Sequence, residues 1–355
     1  MKSWILKGAV LVALAAAGTA AAAGSYRVYV TNERSGDLTV IDGGDFSSLA
    51  TIPVGKRPRG IHVSPDGKTV YVAVSGTPIG GPPQLDAHGD PIFEKSKGDD
   101  DDDSGADKAA DGIAVVDVAA GKLTGKLQAG SDPEEFALSR DGHSIYISNE
   151  DVKTASVIDI KTAKVTHIIP VSQEPEGVTT SPDGKQFYVT CEAGGDIFVI
   201  DAESYKIAGH FKVNGRPRSV AFLSTGTVAF IPSESAGELN IIDAPKYEVT
   251  RTITLPAGSR PMHATVSADD QKLYLSNGRA GTISVLDTHS DQLLNTIKVG
   301  TRPWGIAISP DGKYLFSANG PSNDVSVVDL AAGKEIARVK AGASPWGVAI
   351  VAGVP

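Results

Sequence analysis

The 355-residue chain has one cysteine, Cys191, two methionines and only 6% aromatic residues. A lone cysteine has no internal disulfide partner, and a tetrathiolate zinc site needs four, so neither device holds this fold together. Basic residues are outnumbered by acidic ones, 33 against 42, for a net charge of −9. That balance argues against a non-specific grip on nucleic acid or on an anionic membrane surface. Long hydrophobic runs are missing as well, and no segment beyond the N-terminus is apolar for long enough to span a bilayer. There is no Cys-x-x-Cys-His for a covalent c-type haem and no Gly-x-Ser-x-Gly elbow for a serine hydrolase. What is abundant is glycine, 39 residues, and proline, 21. Both punctuate short strands and turns, so the composition leans toward β structure. Length alone suggests about two domains, although a β-propeller can run longer than the usual limit.

Residues 1–23 read as a signal peptide. Lys2 and Lys7 flank the start of the apolar run Ala9-Val10-Leu11-Val12-Ala13-Leu14, and Ala21-Ala22-Ala23 offers the small residues a signal peptidase accepts. A retained anchor is the alternative, but the run is short and alanine-rich for a bilayer. Cleavage removes two lysines, leaving a mature chain from about Gly24 with a charge of −11. The expected location is therefore outside the cytoplasm, in the periplasm of a bacterium, with no further membrane span and with Cys191 a free thiol.

Internal repeats dominate the rest. Seven prolines open similar phrases: Pro58, Pro133, Pro175, Pro217, Pro261, Pro303 and Pro345. Their spacings are 75, 42, 42, 44, 42 and 42. The aspartates that end Val-Ile-Asp-like strands, Asp42, Asp117, Asp159, Asp201, Asp243, Asp287 and Asp329, step by 75, 42, 42, 42, 44 and 42. Two independent registers agree, and the one anomaly is a 33-residue insertion within 75–111. Each unit reads as four short strands. Ser-Pro-Asp-Gly-Lys turns (Ser64–Lys68, Ser181–Lys185, Ser309–Lys313) join the first to the second, because proline presets φ and glycine supplies φ > 0. Seven four-stranded units make an all-β, seven-bladed β-propeller over residues 24–355. No segment keeps the 3.6-residue apolar period of a helical repeat. The chain starts on a second strand at Tyr26 and ends on a first strand, Trp346–Ile350, so its ends are expected to share one blade and close the ring.

These phrases carry a resemblance. Tyr29-Val30-Thr31-Asn32, Tyr188-Val189-Thr190 and the Ser-Pro-Asp-Gly-Lys turns resemble the YVTN-repeat β-propeller family. Arg57-Pro58-Arg59-Gly60, Asp132-Pro133-Glu134, Asn149-Glu150-Asp151, Pro175-Glu176-Gly177, Asn319–Val325 and Pro345-Trp346-Gly347-Val348 are similar to the periplasmic β-propeller proteins associated with PQQ-dependent catabolism of alcohols. The resemblance implies a role beside a quinoprotein dehydrogenase or a transporter component, with PQQ as a candidate ligand. It supplies no reaction, and the acidic insertion departs from the compact second blade of those proteins. The chain lacks the vicinal cysteines of quinoprotein dehydrogenases and is not expected to be the PQQ enzyme itself.

Topology places the repeat prolines, the ends of the second strands and the insertion at one mouth of the ring. The residues after the prolines then form a ring: Arg59, Glu134, Glu176, Arg218, Met262, Trp304 and Trp346. This ring is a candidate ligand site, since four charged side chains at a dry seam between blades would be costly. Packing between blades, with arginines and carboxylates bracing each other, is the alternative. Glu33, Glu150, Glu192 and His263 reach the same mouth and are candidate ligands for a divalent metal ion, with Glu234 and Cys191 close by register. The insertion carries Pro82-Pro83, His88 and the run Asp99–Asp103. Its Asp101-x-Asp103-x-Gly105 lacks the glycine and glutamate of an EF-hand, so it reads as a solvated acidic loop over the mouth. The function these features point to is a monomeric, non-enzymatic binding or accessory propeller that serves alcohol oxidation or transport. Its expected partner is a small molecule or a periplasmic protein, and not nucleic acid. The alternative is a metal- or haem d1-dependent propeller enzyme, either a lactonase-like hydrolase or an oxidoreductase.

Overall fold

The computed structural model describes residues 25–79 and 105–354. Twenty-eight strands form seven four-stranded antiparallel sheets, ordered in each case from one inner strand outward. Blade 1 is built from both ends of the described chain. Pro345–Ala352 is its inner strand, pairing with Tyr26–Asn32, which pairs with Asp37–Asp42 and then Ser48–Pro53. Blades 2 to 7 follow in sequence, starting at Ile61, Pro133, Pro175, Ala221, Pro261 and Pro303. The expected closure of the ring is thus present, with Val28 opposite Ile350 and Val30 opposite Val348.

Burial falls from the second strand outward, and the reason is geometric. Second strands such as Thr69–Val74 and Tyr314–Asn319 have a neighbouring blade on each face, so almost every residue is buried. Outer strands such as Ser48–Pro53 keep one buried residue, Ile52. Seven hydrophobic clusters result, one per seam. Tyr29, Leu38 and Val40 of blade 1 meet Val70, Val72 and Val116 of blade 2, and the circuit ends where Phe316 and Val327 of blade 7 meet Val28 and Ile41. Cys191 lies in the seam between blades 3 and 4, fully buried and unpaired. Burial pushes its thiol pKa up to about 12. Register placed it near the mouth, but its side chain points into the seam.

The Ser-Pro-Asp-Gly-Lys turns sit at the opposite end of the ring from the repeat prolines. In the first, Ser64 Oγ donates to Asp66 Oδ1 at 2.7 Å and accepts from the Thr69 amide at 3.0 Å, while Gly67 takes φ 71°. At the mouth the second strands end on Asn32, Asn149, Asn277 and Asn319. Their amides donate to Thr39, Ser156, Ser284 and Ser326 on the third strands at 2.8–2.9 Å, which makes this asparagine a structural clamp rather than a ligand. The insertion leaves from Val74 and rejoins at Gly112. Its described ends are tied down: Gly76 donates to Asp111 at 2.7 Å, Lys56 pairs with Asp107 at 2.9 Å, and Lys108 with Asp151 at 2.6 Å. The signal segment, and His88 and Asp99–Asp103 of the insertion, lie outside the described residues.

Candidate active site at the channel mouth

Each inner strand begins with an unusual turn. The residue before the proline takes a left-handed φ in six blades, from 45° at Asp132 to 57° at Ser344, with Arg57, Glu174, Arg260 and Arg302 between. Side chains of that kind resist this region, which persists only where the surroundings enforce it. In three of these blades a hydroxyl on the preceding second strand holds the turn. Thr31 donates to the carbonyl of Arg59 at 2.8 Å, Ser148 to that of Glu176 at 2.6 Å, and Ser276 to that of Trp304 at 2.6 Å. Each therefore pins a ring residue of the next blade in place.

The ring divides into two halves. On the side of blades 2 and 3, Arg59 is fully buried, with Nη2 2.6 Å from Asp132, Nη1 2.8 Å from Glu134 and Nη1 3.8 Å from Glu150. Burial opposes its charge, but Glu134, Asp132 and Glu150 more than compensate, and its pKa is raised. Burial also opposes the charge of Glu134, yet Arg59 holds its carboxyl below the usual value. Glu150 goes the other way: burial, the Glu134 charge and the hydrogen bond its protonated carboxyl donates to that neighbour push it well above the carboxylate range. The two carboxyls thus form a pair that shares a proton beside a guanidinium.

The other half opens into the channel. Glu176, Arg218, Met262, Trp304 and Trp346 line a cavity there, with about 550 Å³ of empty space, part of it open to solvent. Arg218 is clasped by three carboxylates, Glu176, Glu192 and Glu234, the last at 2.7 Å from Nε. Glu192 also pairs with Arg216. Trp304 and Trp346 meet with ring centroids 5.2 Å apart at 33°. The Arg302 guanidinium stacks on Trp304 at 5.2 Å and makes no ion pair among the described residues. Burial lowers its pKa, partly against the attraction of Glu234. It adjoins the cavity through Trp304 and is not itself among the residues that line it.

The expected residues are therefore distributed as follows. Five of the seven ring members line the cavity, while Arg59 and Glu134 are engaged in the buried cluster. The four proposed metal ligands are not gathered into one set. Glu33 pairs with Arg57 at 3.1 Å, Glu150 with Glu134 and Arg59, Glu192 with Arg216 and Arg218, and His263 faces the channel. No group of three or more His, Cys, Asp or Glu able to hold a metal occurs among the described residues, because arginines interleave the carboxylates. Sequence reasoning missed the residues just before the prolines, Arg57, Asp132, Arg216, Arg260 and Arg302, and those just after the ring, Glu135 and His263, the latter noted only as a metal candidate. The repeat register that revealed the ring would have exposed both positions, two residues before it and one after. Burial lowers the pKa of His263, with Glu135 opposing the shift and His62 adding to it.

With this geometry in place, the comparisons are informative. A family model described as a lactonase, seven-bladed β-propeller, matches residues 174–341. This stretch carries Glu176, Arg218, Met262, His263, Arg302 and Trp304. A YNCE-like β-propeller model matches residues 97–228. The fold is that of a seven-bladed β-propeller. The periplasmic gluconolactonase PpgL of Pseudomonas aeruginosa superposes with a TM-score of 0.69 at 20% identity, over 93% of this chain and 100% of its own. A Bacteroides fragilis protein provisionally described as a 6-phosphogluconolactonase gives 0.71 at 18%, over 92% and 98%. The dihydro-heme d1 dehydrogenase NirN gives 0.62 at 15%, over 91% of this chain and 74% of its own. No curated protein sequence matches the chain. The lactonase match and the lactonase-type neighbours correct the expectation of a non-enzymatic accessory propeller, and they favour its alternative, a lactonase-like enzyme.

Proposed function

We propose that the chain is a hydrolase that opens a small lactone in the channel cavity beneath the mouth. The observation that carries this reading is the composition of one wall. A tryptophan pair suited to the face of a sugar-like ring adjoins an arginine with no ion-pair partner among the described residues and an arginine held among three carboxylates. Aromatic faces bind hydroxylated rings through their C–H surfaces, and Arg302 would meet an anionic substituent or the oxyanion that develops when water adds to the carbonyl.

The setting we propose is the periplasm, reached through the signal peptide. Oxidation of a cyclic hemiacetal yields a lactone, so a quinoprotein dehydrogenase of the kind implied by the sequence resemblance would be a fitting upstream partner. The test is turnover of glucono-δ-lactone, 6-phosphogluconolactone and an uncharged δ-lactone by the purified chain, read as acid release at constant pH. At least one should be consumed faster than it hydrolyses spontaneously. Arg302→Gln should raise KM for an acidic lactone about tenfold, the equivalent of one charge-assisted contact. No turnover of any of the three would overturn the proposal.

A further inference from the structure

A second tier lies below the ring. The position two residues after each repeat proline holds Gly60, Glu135, Gly177, Ser219, His263, Gly305 and Gly347. Glycine is required at four of these, because a Cβ there would lie 2.4–2.8 Å from the ring carbonyl of the next blade. Blades 3, 5 and 6 depart from the pattern with Glu135, Ser219 and His263, and all three line the cavity together with His62. His62 Nε2 and Glu135 Oε1 are 2.9 Å apart, and Glu135 Oε1 also accepts from the Phe136 amide at 2.9 Å. The Phe136 ring braces His62 edge-on at 4.8 Å. His263 is held by its backbone: its amide donates to Ser276 Oγ at 3.1 Å, and that hydroxyl is itself anchored to Trp304. Its imidazole has no hydrogen-bond partner among the described residues.

An imidazole with no ring partner, carried on a backbone held by Ser276 and lining the cavity that Arg218 and Trp304 also line, has the position of a base rather than of a brace. We propose that His263 is the general base of the lactone hydrolysis, an inference that rests on the reading of the site given above. A ring nitrogen of His263 takes a proton from water as the water oxygen bonds to the lactone carbonyl carbon. The tetrahedral oxyanion then collapses, the bond between that carbon and the ring oxygen breaks, and the ring oxygen takes the proton back from the imidazolium. The product is the open hydroxy acid, and the imidazole is regenerated. Neither the Arg59 cluster nor the metal candidates Glu33, Glu150 and Glu192 take part.

The test compares the wild-type chain with His263→Gln, using glucono-δ-lactone for turnover and gluconate for calorimetric binding. The expected result is a fall in kcat of about 100-fold or more, with the gluconate Kd within about threefold of wild type. A kcat within about threefold of wild type would leave the hydrolase reading standing and refute the base. An inactive wild-type chain would refute both. Should His263→Gln fail to fold, diethyl pyrocarbonate on the wild-type chain decides. Carbethoxylation located at His263 by mass spectrometry should abolish turnover and be blocked by gluconate. Turnover that survives complete modification, or a ring that does not react, overturns the proposal.

Discussion

Arg59 illustrates how charge is spent at this mouth: fully buried, it is useful only because Asp132 and Glu134 lie within 2.8 Å. Arg59→Met leaves Glu134 buried without its guanidinium and Asp132 with only Arg57 at 3.5 Å, so unfolding in urea should show a loss of about 3–5 kcal/mol. Glu150 gives the opposite sign. Its carboxyl titrates above the ordinary value because of burial and the Glu134 charge, so folding takes up a proton above the usual glutamate range. Its contribution to stability therefore falls as pH rises through that interval. Glu150→Gln should melt at a temperature that gains on wild type as the pH is raised above the ordinary glutamate range. A difference that stays constant with pH would contradict this assignment. The Cys191 thiol, buried and pushed up to about 12, should resist alkylation at neutral pH until the chain is unfolded. The ring was legible because one register position breaks the similarity of the repeats. The pairing was not, because register gives the height of a side chain in the channel and not the direction it takes. Glu192 turned to Arg216 and Arg218, and Cys191 into a seam.

At the scale of elements, the inner strands are set by small residues as much as by charge. Gly177 illustrates this, since a Cβ would sit 2.4 Å from the carbonyl of Arg218, which leaves no room without moving the next blade. Gly177→Ala should cost about 1–3 kcal/mol, and should disturb Arg218 along with the seam. The same substitution at Gly353, a surface position with no neighbour within 4 Å of a Cβ, tests only the φ of 74° and not the packing. The strand content of each blade was readable from alternation and from the turn phrases. The left-handed residues before the prolines were not, because arginine and glutamate carry no local preference for that conformation. In three blades a hydroxyl latch from the preceding blade accompanies them, and such latches join residues such as Thr31 and Arg59 that are 28 positions apart.

The whole molecule is a closed circuit of seven seams, and its closure depends on Pro345–Ala352 pairing with Tyr26–Asn32. The two repeat registers made this closure predictable, since they fix the number of strands at each end. The circuit is what holds Trp346 next to Trp304, so the mouth and the ring are coupled: the strand that closes the ring also delivers a wall of the cavity. The seam clusters take in residues such as Ile306 and Ala264 of the inner strands, while five ring residues line the channel cavity. The central claim is that this wall holds a lactone for hydrolysis. It is tested most directly by the initial rate of acid release from glucono-δ-lactone and 6-phosphogluconolactone, measured for the wild-type chain and for Trp304→Ala with Trp346→Ala. The account predicts turnover by the wild-type chain and a loss of about 100-fold or more in kcat/KM for the doubly substituted chain, with its β circular dichroism retained. Equal rates in the two proteins, or no turnover in either, would contradict it.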